Sequence, residues 1–514
     1  MLLTIVQSLL FAIGVPAVAI FVARLVYPAP SHADREDTFA LPPAEDGALA
    51  ATLSKRCKDH QGLTGVASLQ DGREAFAARI MLANAAVSSI DVQYYIWRAD
   101  MTGYLLLKAL HRAADRGVRV RVLLDDNGIN GLDAVLAALD AHPEIEVRLY
   151  NPFVLRRFKR LSFAFDFFRL NHRMHNKAFT VDGRASILGG RNVGDEYFGT
   201  GSNPLRIDLD LLAVGEVVPR ISADFDRYWN ADPVFPAARI LGKSGNAGLI
   251  ATVLDGFETN PEFDAYRPLL DASDIVASLA RGDLALEWTD AVLVSDDPVI
   301  GFGRVPRPEL FITRLLDAVG PIKARFDGVT PYFVPGAAGV KAFAALERGG
   351  VSVRMLTNSL EATDMLPVHA GYAKRRKDLL RAGVGLFELR VQDGGPTSRD
   401  KLGPFGSSGS HLHAKTFAVD GNRVFVGSFN FDPRSATLNT EMGLLIRSTR
   451  MAEIMHDAFD EGLGDLAWRV EMAEGRLNWT RASDGTVTRV EPGTTLAKRI
   501  ALKAIGSLPV EWLL

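Results

Sequence analysis

The sequence predicts an α/β protein built by duplication of a whole α/β domain, behind an N-terminal membrane segment. Three observations carry that expectation. A nine-residue phrase is spelled twice, HNKAFTVDG at 175–183 and HAKTFAVDG at 413–421. Each copy lies downstream of a strand, helix, strand pattern. Residues 2–23 contain no charged side chain.

Composition narrows the possibilities. With 514 residues, 47 % of them hydrophobic and 23 % charged, the chain can bury more than one core. A formal net charge of −3 argues against a protein built to hold a nucleic-acid duplex, and no nucleic-acid partner is expected. The single cysteine, Cys57, excludes an intramolecular disulfide and an all-cysteine metal site, and leaves the redox compartment open.

The elements follow in chain order. At about 1.5 Å per residue, the uncharged stretch 2–23 is long enough for roughly 30 Å of hydrocarbon, so residues 1–26 read as a membrane anchor. A cleaved signal segment is the rival reading, although no Lys or Arg precedes the apolar run. Arg24, Arg35, Lys55 and Arg56 follow it, which leans the catalytic part towards the cytoplasmic side. Residues 27–60, with Pro and Ala, form a linker. The first half spans 61–235: IDVQYYIWRAD alternates as a strand, GYLLLKALHRAADRG has helical spacing, and VRVRVLLDD alternates again. A connector covers 236–300. The second half, 301–470, repeats the order in ARFDGVTPYFVPG, AAGVKAFAALERGG and VSVRMLTN. A C-terminal extension, 471–514, contains an amphipathic helix with Leu496, Ile500 and Ala504 on one face.

The repeated phrase is where chemistry concentrates. Each copy reads as a strand entering an Asp-Gly turn, with His175 and Lys177, or His413 and Lys415, on one strand face. An imidazole can attack phosphorus or carry a proton, and an ammonium can hold a phosphate oxygen. Two such hairpins face to face would cleave a phosphodiester without a metal. Asn192, Ser428 and Asn430, in the small-residue turns that follow, are candidate phosphate donors. Asp210 and Glu441, further on in alternating stretches, are candidate orienters of the imidazoles. Zinc is a competing reading, since His172 lies near His175 and His411 near His413, but the adjacent lysines would repel a cation.

The paired phrases, with the trailing GGRN and GSFN, resemble the His-x-Lys-x-x-x-x-Asp signatures of the phospholipase D superfamily. IDVQYYIWRADMTG, GGRNVGDEYFG, VHAGYAKRRKDLLR, GSFNFDPRSATLNTEMG and the terminal LPVEWLL extend the resemblance to bacterial cardiolipin synthases of the C type, over about residues 60–514. The resemblance implies two phospholipase D-type α/β sandwich halves around one site, and no metal or cofactor. It implies that His175 or His413 attacks phosphorus to give a phosphatidyl-histidine, with His175 the usual nucleophile, while the other imidazole moves the proton. Lys177, Lys415, Asn192 and Asn430 would hold the phosphate. Asp182 and Asp420 belong to the signature, and the turn reading makes them structural as readily as catalytic. The implied substrates are phosphatidylglycerol and, as donor, phosphatidylethanolamine, at a bacterial inner membrane; protein partners are not implied. A hydrolase would use the same residues with water as acceptor, and a nuclease the same site with another phosphodiester. The chain departs from the type at VSDDPVIGFG, where Val299 and Ile300 stand in place of a Lys.

Two further stretches suit a lipid surface. NPFVLRRFKRLSFAFDFFRLNH mixes six Phe with Arg156, Arg157, Lys159 and Arg160 just before the first signature. A buried aromatic helix with a solvated basic face is the competing reading. AKRRKDLLRAG, 373–383, reads as a solvated basic helix face or an anionic-lipid patch.

Overall fold

The computed structural model describes residues 2–28, 31–32, 35–200, 205–242, 275, 278, 281–300, 302, 305–391, 411–508 and 511–514. Residues 243–274, about half of the expected connector, fall outside the described residues.

The first half contributes β1 (Thr64–Leu69), β2 (Ser89–Ile96), β3 (Arg119–Gly128), β4 (Ile145–Tyr150), β6 (Ala178–Val181), β7 (Ala185–Gly189), β9 (Asp210–Gly215) and β10 (Val234–Pro236). With β11 (Glu287–Thr289) they form a nine-stranded sheet of order β10-β4-β3-β2-β6-β7-β9-β1-β11. The second sheet contains β12 (Ala291–Ser295), β13 (Arg325–Val329), β14 (Ser352–Asn358), β15 (Gly385–Leu389), β17 (Thr416–Val419), β18 (Arg423–Gly427), β20 (Met442–Arg447), β21 (Ala467–Ala473), β22 (Arg476–Arg481) and β23 (Val487–Thr488). Its order is β12-β20-β18-β17-β13-β14-β15-β21-β22-β23.

The central six strands of the two sheets correspond one to one, β4-β3-β2-β6-β7-β9 with β15-β14-β13-β17-β18-β20. Directions match as well: β2, β3 and β4 are parallel, as are β13, β14 and β15, and the remaining neighbours are antiparallel. Parallel neighbours need a crossover. The helices Met101–Asp115 and Gly336–Arg348 supply it between β2 and β3 and between β13 and β14.

Side-chain alternation along the strands sorts the apolar residues into layers. In β7, Ile187 joins a core beneath the helices Gly72–Ala85 and Met101–Asp115, whereas the adjacent Leu188 joins a core shared with the other half. In β18, Val424 and Val426 enter that shared core, and Phe425 between them faces the second half's own core. The sheets therefore pack against each other across one apolar layer, with helices outside. Buried apolar surface, at about 25 cal/mol per Å², joins the halves into one body.

Two short parallel ladders cross between the halves. β5 (Arg173–Met174) pairs with β19 (Asn439–Thr440), and β8 (Arg206–Ile207) pairs with β16 (His411–Leu412). They bring the two signature phrases together.

At the N-terminus, residues Leu2–Val26 form a helix that contains Pro16. Among the residues described with their side chains, no helix is long and apolar enough to cross a membrane, so the expected membrane segment is not shown by the structure. Three other expectations shift. The basic helix Leu366–Arg381 is not simply a solvated face, because Arg376 is buried against Glu388 and Glu491. In the C-terminal helix Leu496–Gly506, Leu502 packs inward while Leu496 and Ile500 are exposed. The Phe-rich stretch divides, with Phe153 and Phe165 buried and Phe158, Phe167 and Phe168 exposed.

Candidate active site

His175 and Lys177 lie between β5 and β6, and His413 and Lys415 between β16 and β17, so both pairs precede the strands on which the sequence pattern placed them. Backbone bonds across the halves fix them. His175 N–H donates to Thr440 O at 2.9 Å, and His413 N–H donates to Ile207 O at 2.7 Å. Lys177 Nζ folds back onto His175 O at 2.5 Å, and Lys415 Nζ onto the His413 carbonyl.

Each imidazole meets a carboxylate from the opposite half. His175 Nδ1 lies 2.9 Å from Glu441 Oε2, and His413 Nδ1 is bonded to Asp208 Oδ2. With Nδ1 occupied in both rings, Nε2 is the atom left for chemistry. A Tyr ring stands edge-on to each imidazole, Tyr95 at 5.1 Å from His175 and Tyr197 at 5.1 Å from His413.

Asp208, not Asp210, is therefore the partner of the second imidazole. Asp210 is committed to Arg79 at 2.8 Å and to the Arg191 N–H at 3.1 Å. Register explains the difference: β7 pairs Gly189 with Asp210, and β18 pairs Gly427 with Gly443. Asp210 thus corresponds to Gly443, and Asp208, two residues earlier, to Glu441. A signal was present in the sequence, because Leu211-Leu212 and Leu444-Leu445 align the two stretches without a gap.

Small residues make room for this arrangement. A Cβ on Gly190 would stand 2.0 Å from Asp208 Oδ1, closer than any real contact. The corresponding position in the second half is Ser428, and its hydroxyl donates to Glu441 Oε2 at 2.5 Å while accepting from Met442 N–H at 3.0 Å. Ser428 thus steadies the carboxylate instead of reaching for a phosphate. Asn192 is also engaged, accepting from Ile96 N–H at 3.2 Å and donating to Tyr197 Oη at 3.1 Å. Asn430 keeps a buried Oδ1 with no protein donor among the described residues.

The signature aspartates belong to the turns. Asp182 and Asp420 have φ of 53° and 50°, a left-handed conformation that Asp tolerates in turns. The Asp182 carboxylate accepts from Val87, Ser88 and Ser89 N–H, and the Asp420 carboxylate from Lys323, Ala324 and Arg325 N–H. Each ties its hairpin to the start of the neighbouring strand. These bonds serve the fold, and neither carboxylate is bonded to His175 or His413, whose Nδ1 partners are Glu441 and Asp208.

Burial dominates the electrostatics. It pushes His175 well below its ordinary range, with Lys177 and Lys415 adding to the effect. His413 is likewise held well down by burial, then by Lys415, Arg206 and Lys177. Burial raises Asp208 and lifts Glu441 to about 8, and it lowers Lys415 to about 8. Each ammonium acts on both imidazoles, so all four groups share one buried pocket with the Glu441 and Asp208 carboxyls, and burial holds Lys177 well down there as well.

VSDDPVIGFG, where a Lys was missing, supplies Asp296. Its carboxylate accepts from the Glu441 N–H at 3.0 Å and the Phe311 N–H at 2.8 Å, so it holds the backbone that carries Glu441. Ile300 is buried. The zinc reading finds no support in donor geometry: His172 Nδ1 lies against Leu438 O at 3.2 Å, and His411 Nδ1 against the Ala362 carbonyl.

A duplicated α/β fold with two imidazoles and two ammonium groups shared between halves defines a protein of the phospholipase D type. The family model described as "Cardiolipin synthase, PLD-like domain" matches residues 79–229 and 316–463, and the chain belongs to that family. It is 45 % identical over 471 residues to cardiolipin synthase C of Escherichia coli, covering 91 % of this chain and 99 % of that protein. A cardiolipin synthase of Staphylococcus aureus is 26 % identical over 428 residues, covering 82 % of this chain and 72 % of that one. Among solved structures, the phosphatidylserine synthase of Haemophilus influenzae shares the fold, with a TM-score of 0.55 and 15 % identity over 90 % of this chain and all of that one.

Proposed function

We propose that this protein is a cardiolipin synthase, a phosphatidyltransferase that joins a phosphatidyl group to phosphatidylglycerol through a phosphatidyl-histidine. The observation that carries the reading is 45 % identity to a cardiolipin synthase along nearly the whole of both chains. The crossed pairs, His175 with Glu441 and His413 with Asp208, support the mechanism.

In the first step His175 Nε2 attacks the donor phosphorus. A P–N bond forms, the P–O bond to the departing alcohol breaks, and His413 gives its Nε2 proton to that oxygen. In the second step the acceptor hydroxyl returns its proton to His413 and attacks phosphorus, breaking the P–N bond. Lys177 and Lys415 hold the non-bridging oxygens, and Asn192 and Asn430 border the phosphate. Burial and nearby cations keep His413 neutral in the empty site. The bound phosphodiester supplies the opposing charge that lets His413 carry a proton. Glu441 faces the positive charge that forms on His175, as a carboxylate does behind a catalytic imidazole.

Phosphatidylethanolamine is the proposed donor beside phosphatidylglycerol. The N-terminal helix is proposed as an anchor in a bacterial inner membrane, with the catalytic part on the cytoplasmic side. Its supports are the uncharged stretch 2–23 and the basic residues that follow. The test uses purified protein in mixed micelles with labelled phosphatidylglycerol, with and without phosphatidylethanolamine, in the presence of chelator. Cardiolipin as main product is expected. Phosphatidic acid as main product would make the enzyme a hydrolase.

A further inference from the structure

The segment that precedes the first signature has two sides. Arg156 and Lys159 turn inward, Arg156 against Asp133 and Asp126, and Lys159 against Asp126 at 3.0 Å. Phe158, Leu161 and Phe168 turn outward, 58 %, 59 % and 74 % exposed. Arg157 and Arg160 are exposed beside them. Three large apolar side chains exposed within eleven residues, beside two exposed arginines, make a composition suited to a lipid boundary.

A series of ring contacts connects this outward side to the active site. Edge-on ring contacts run from Phe168 to Phe167 at 5.7 Å, to Phe163 at 6.3 Å and to the buried Phe153 at 5.6 Å. Phe153 lies under the Arg173 guanidinium at 4.7 Å, and Arg173 stands two residues before His175. The same segment receives the N-terminal helix. Arg24 Nε donates to Phe165 O at 2.9 Å, and the Tyr27 ring stacks on Phe165 at 6.1 Å. Exposed Phe21, Val22 and Leu25 continue the apolar surface along that helix.

We propose that Phe158, Leu161 and Phe168, flanked by Arg157 and Arg160, form an interfacial contact that seats the active site on an anionic bilayer. The inference rests on the phospholipid-transferase reading and goes beyond the anchor. A helix anchor fixes the protein to a membrane at one point, and a second contact sets the height and tilt of the site. Apolar side chains enter the acyl boundary while guanidinium groups remain at the phosphates. Charge commits the partner: Arg157 and Arg160 have no carboxylate partner among the described residues, so they are available to anionic headgroups. Phosphatidylglycerol, the proposed substrate, is such a lipid.

The test uses the full chain with Cys57→Ser and Phe168→Cys, the new thiol carrying an environment-sensitive dye. On phosphatidylglycerol vesicles the emission should rise, and lipids with brominated chains should quench it. A silent dye on vesicles overturns the proposal, even with the protein bound by its N-terminal helix. Separately, Arg157→Gln with Arg160→Gln should lower turnover on phosphatidylglycerol vesicles about thirtyfold, the effect of two basic groups near an anionic surface. Turnover of short-chain monomeric phosphatidylglycerol should stay unchanged. Equal loss on both substrates, loss on neither, or conversion of a dimer to a monomer by the variant would each overturn the assignment. A wild type that makes no lipid product but lights the dye would defeat the cardiolipin reading alone.

Discussion

Exchange of Asp208 for Asn isolates the carboxylate that the fold places behind His413. The substitution keeps the shape and removes the charge. Asp208 Oδ2 is bonded to His413 Nδ1, and a hydrogen bond to a charged group contributes about 1.5–3 kcal/mol, or roughly 10- to 150-fold in rate. The Asn amide can also donate to Nδ1 and hold the ring in the wrong tautomer, an effect worth about 10⁴-fold behind a catalytic imidazole elsewhere. A fall in kcat of about 10²- to 10⁴-fold is expected, with folding intact. Asp210→Asn should do the reverse. It leaves the Arg79 guanidinium, bonded to Asp210 at 2.8 Å, without its buried counter-charge. Breaking a buried pair costs about 3–5 kcal/mol of stability. The assay combines turnover in mixed micelles with thermal unfolding of both variants. If Asp210→Asn slowed turnover as much as Asp208→Asn while unfolding like the wild type, the register argument would fail.

Other outcomes follow from the same geometry. His175→Ala and His413→Ala should each abolish turnover, and the double variant should be no worse, because the two imidazoles act as one unit; substantial turnover in both single variants would sink the shared site. Burial raises Glu441 and lowers Lys415, each to about 8. The mechanism needs Glu441 without its proton and both Lys177 and Lys415 with theirs, and burial holds Lys177 well down too, so kcat/KM should be bell-shaped, the limbs belonging to the coupled set. A profile flat from pH 6 to 10 would contradict that assignment. Gly190→Ala should reduce turnover at least about tenfold, since its Cβ would meet Asp208 Oδ1 at 2.0 Å and displace the carboxylate; wild-type kcat would refute it. Asp182→Ala should lower stability by about 3 kcal/mol, three backbone N–H groups losing their acceptor, with kcat in the folded fraction retained. Denaturant unfolding alongside single-turnover kinetics separates the two effects.

The duplication, the α/β character and the His-Lys pairs were legible in the chain because they are local. Strand alternation has period two and helical spacing 3.6, and a repeated phrase needs no tertiary knowledge to be seen. Within the site the legible part ended at the imidazoles and ammonium groups. The alternating pattern singled out Asp210, and only sheet register matched Asp208, two residues earlier, with Glu441. The role of Ser428 was hidden for a similar reason, since a hydroxyl reads as a phosphate donor until a neighbouring carboxylate is seen to take it. Asp182 and Asp420 looked like chemistry because the signature carries them, yet their carboxylates cap the N–H groups of a distant strand start.

What the sequence determined by itself was the inventory: two copies of a unit, each with an imidazole, an ammonium and a carboxylate downstream. What only the tertiary structure decided was the pairing. The ladders β5 with β19 and β8 with β16 exchange partners between halves, so each histidine is oriented by the other half's acid. No local pattern encodes that crossing. It arises when two twisted sheets bury their apolar faces against one another and the strand ends meet across the seam.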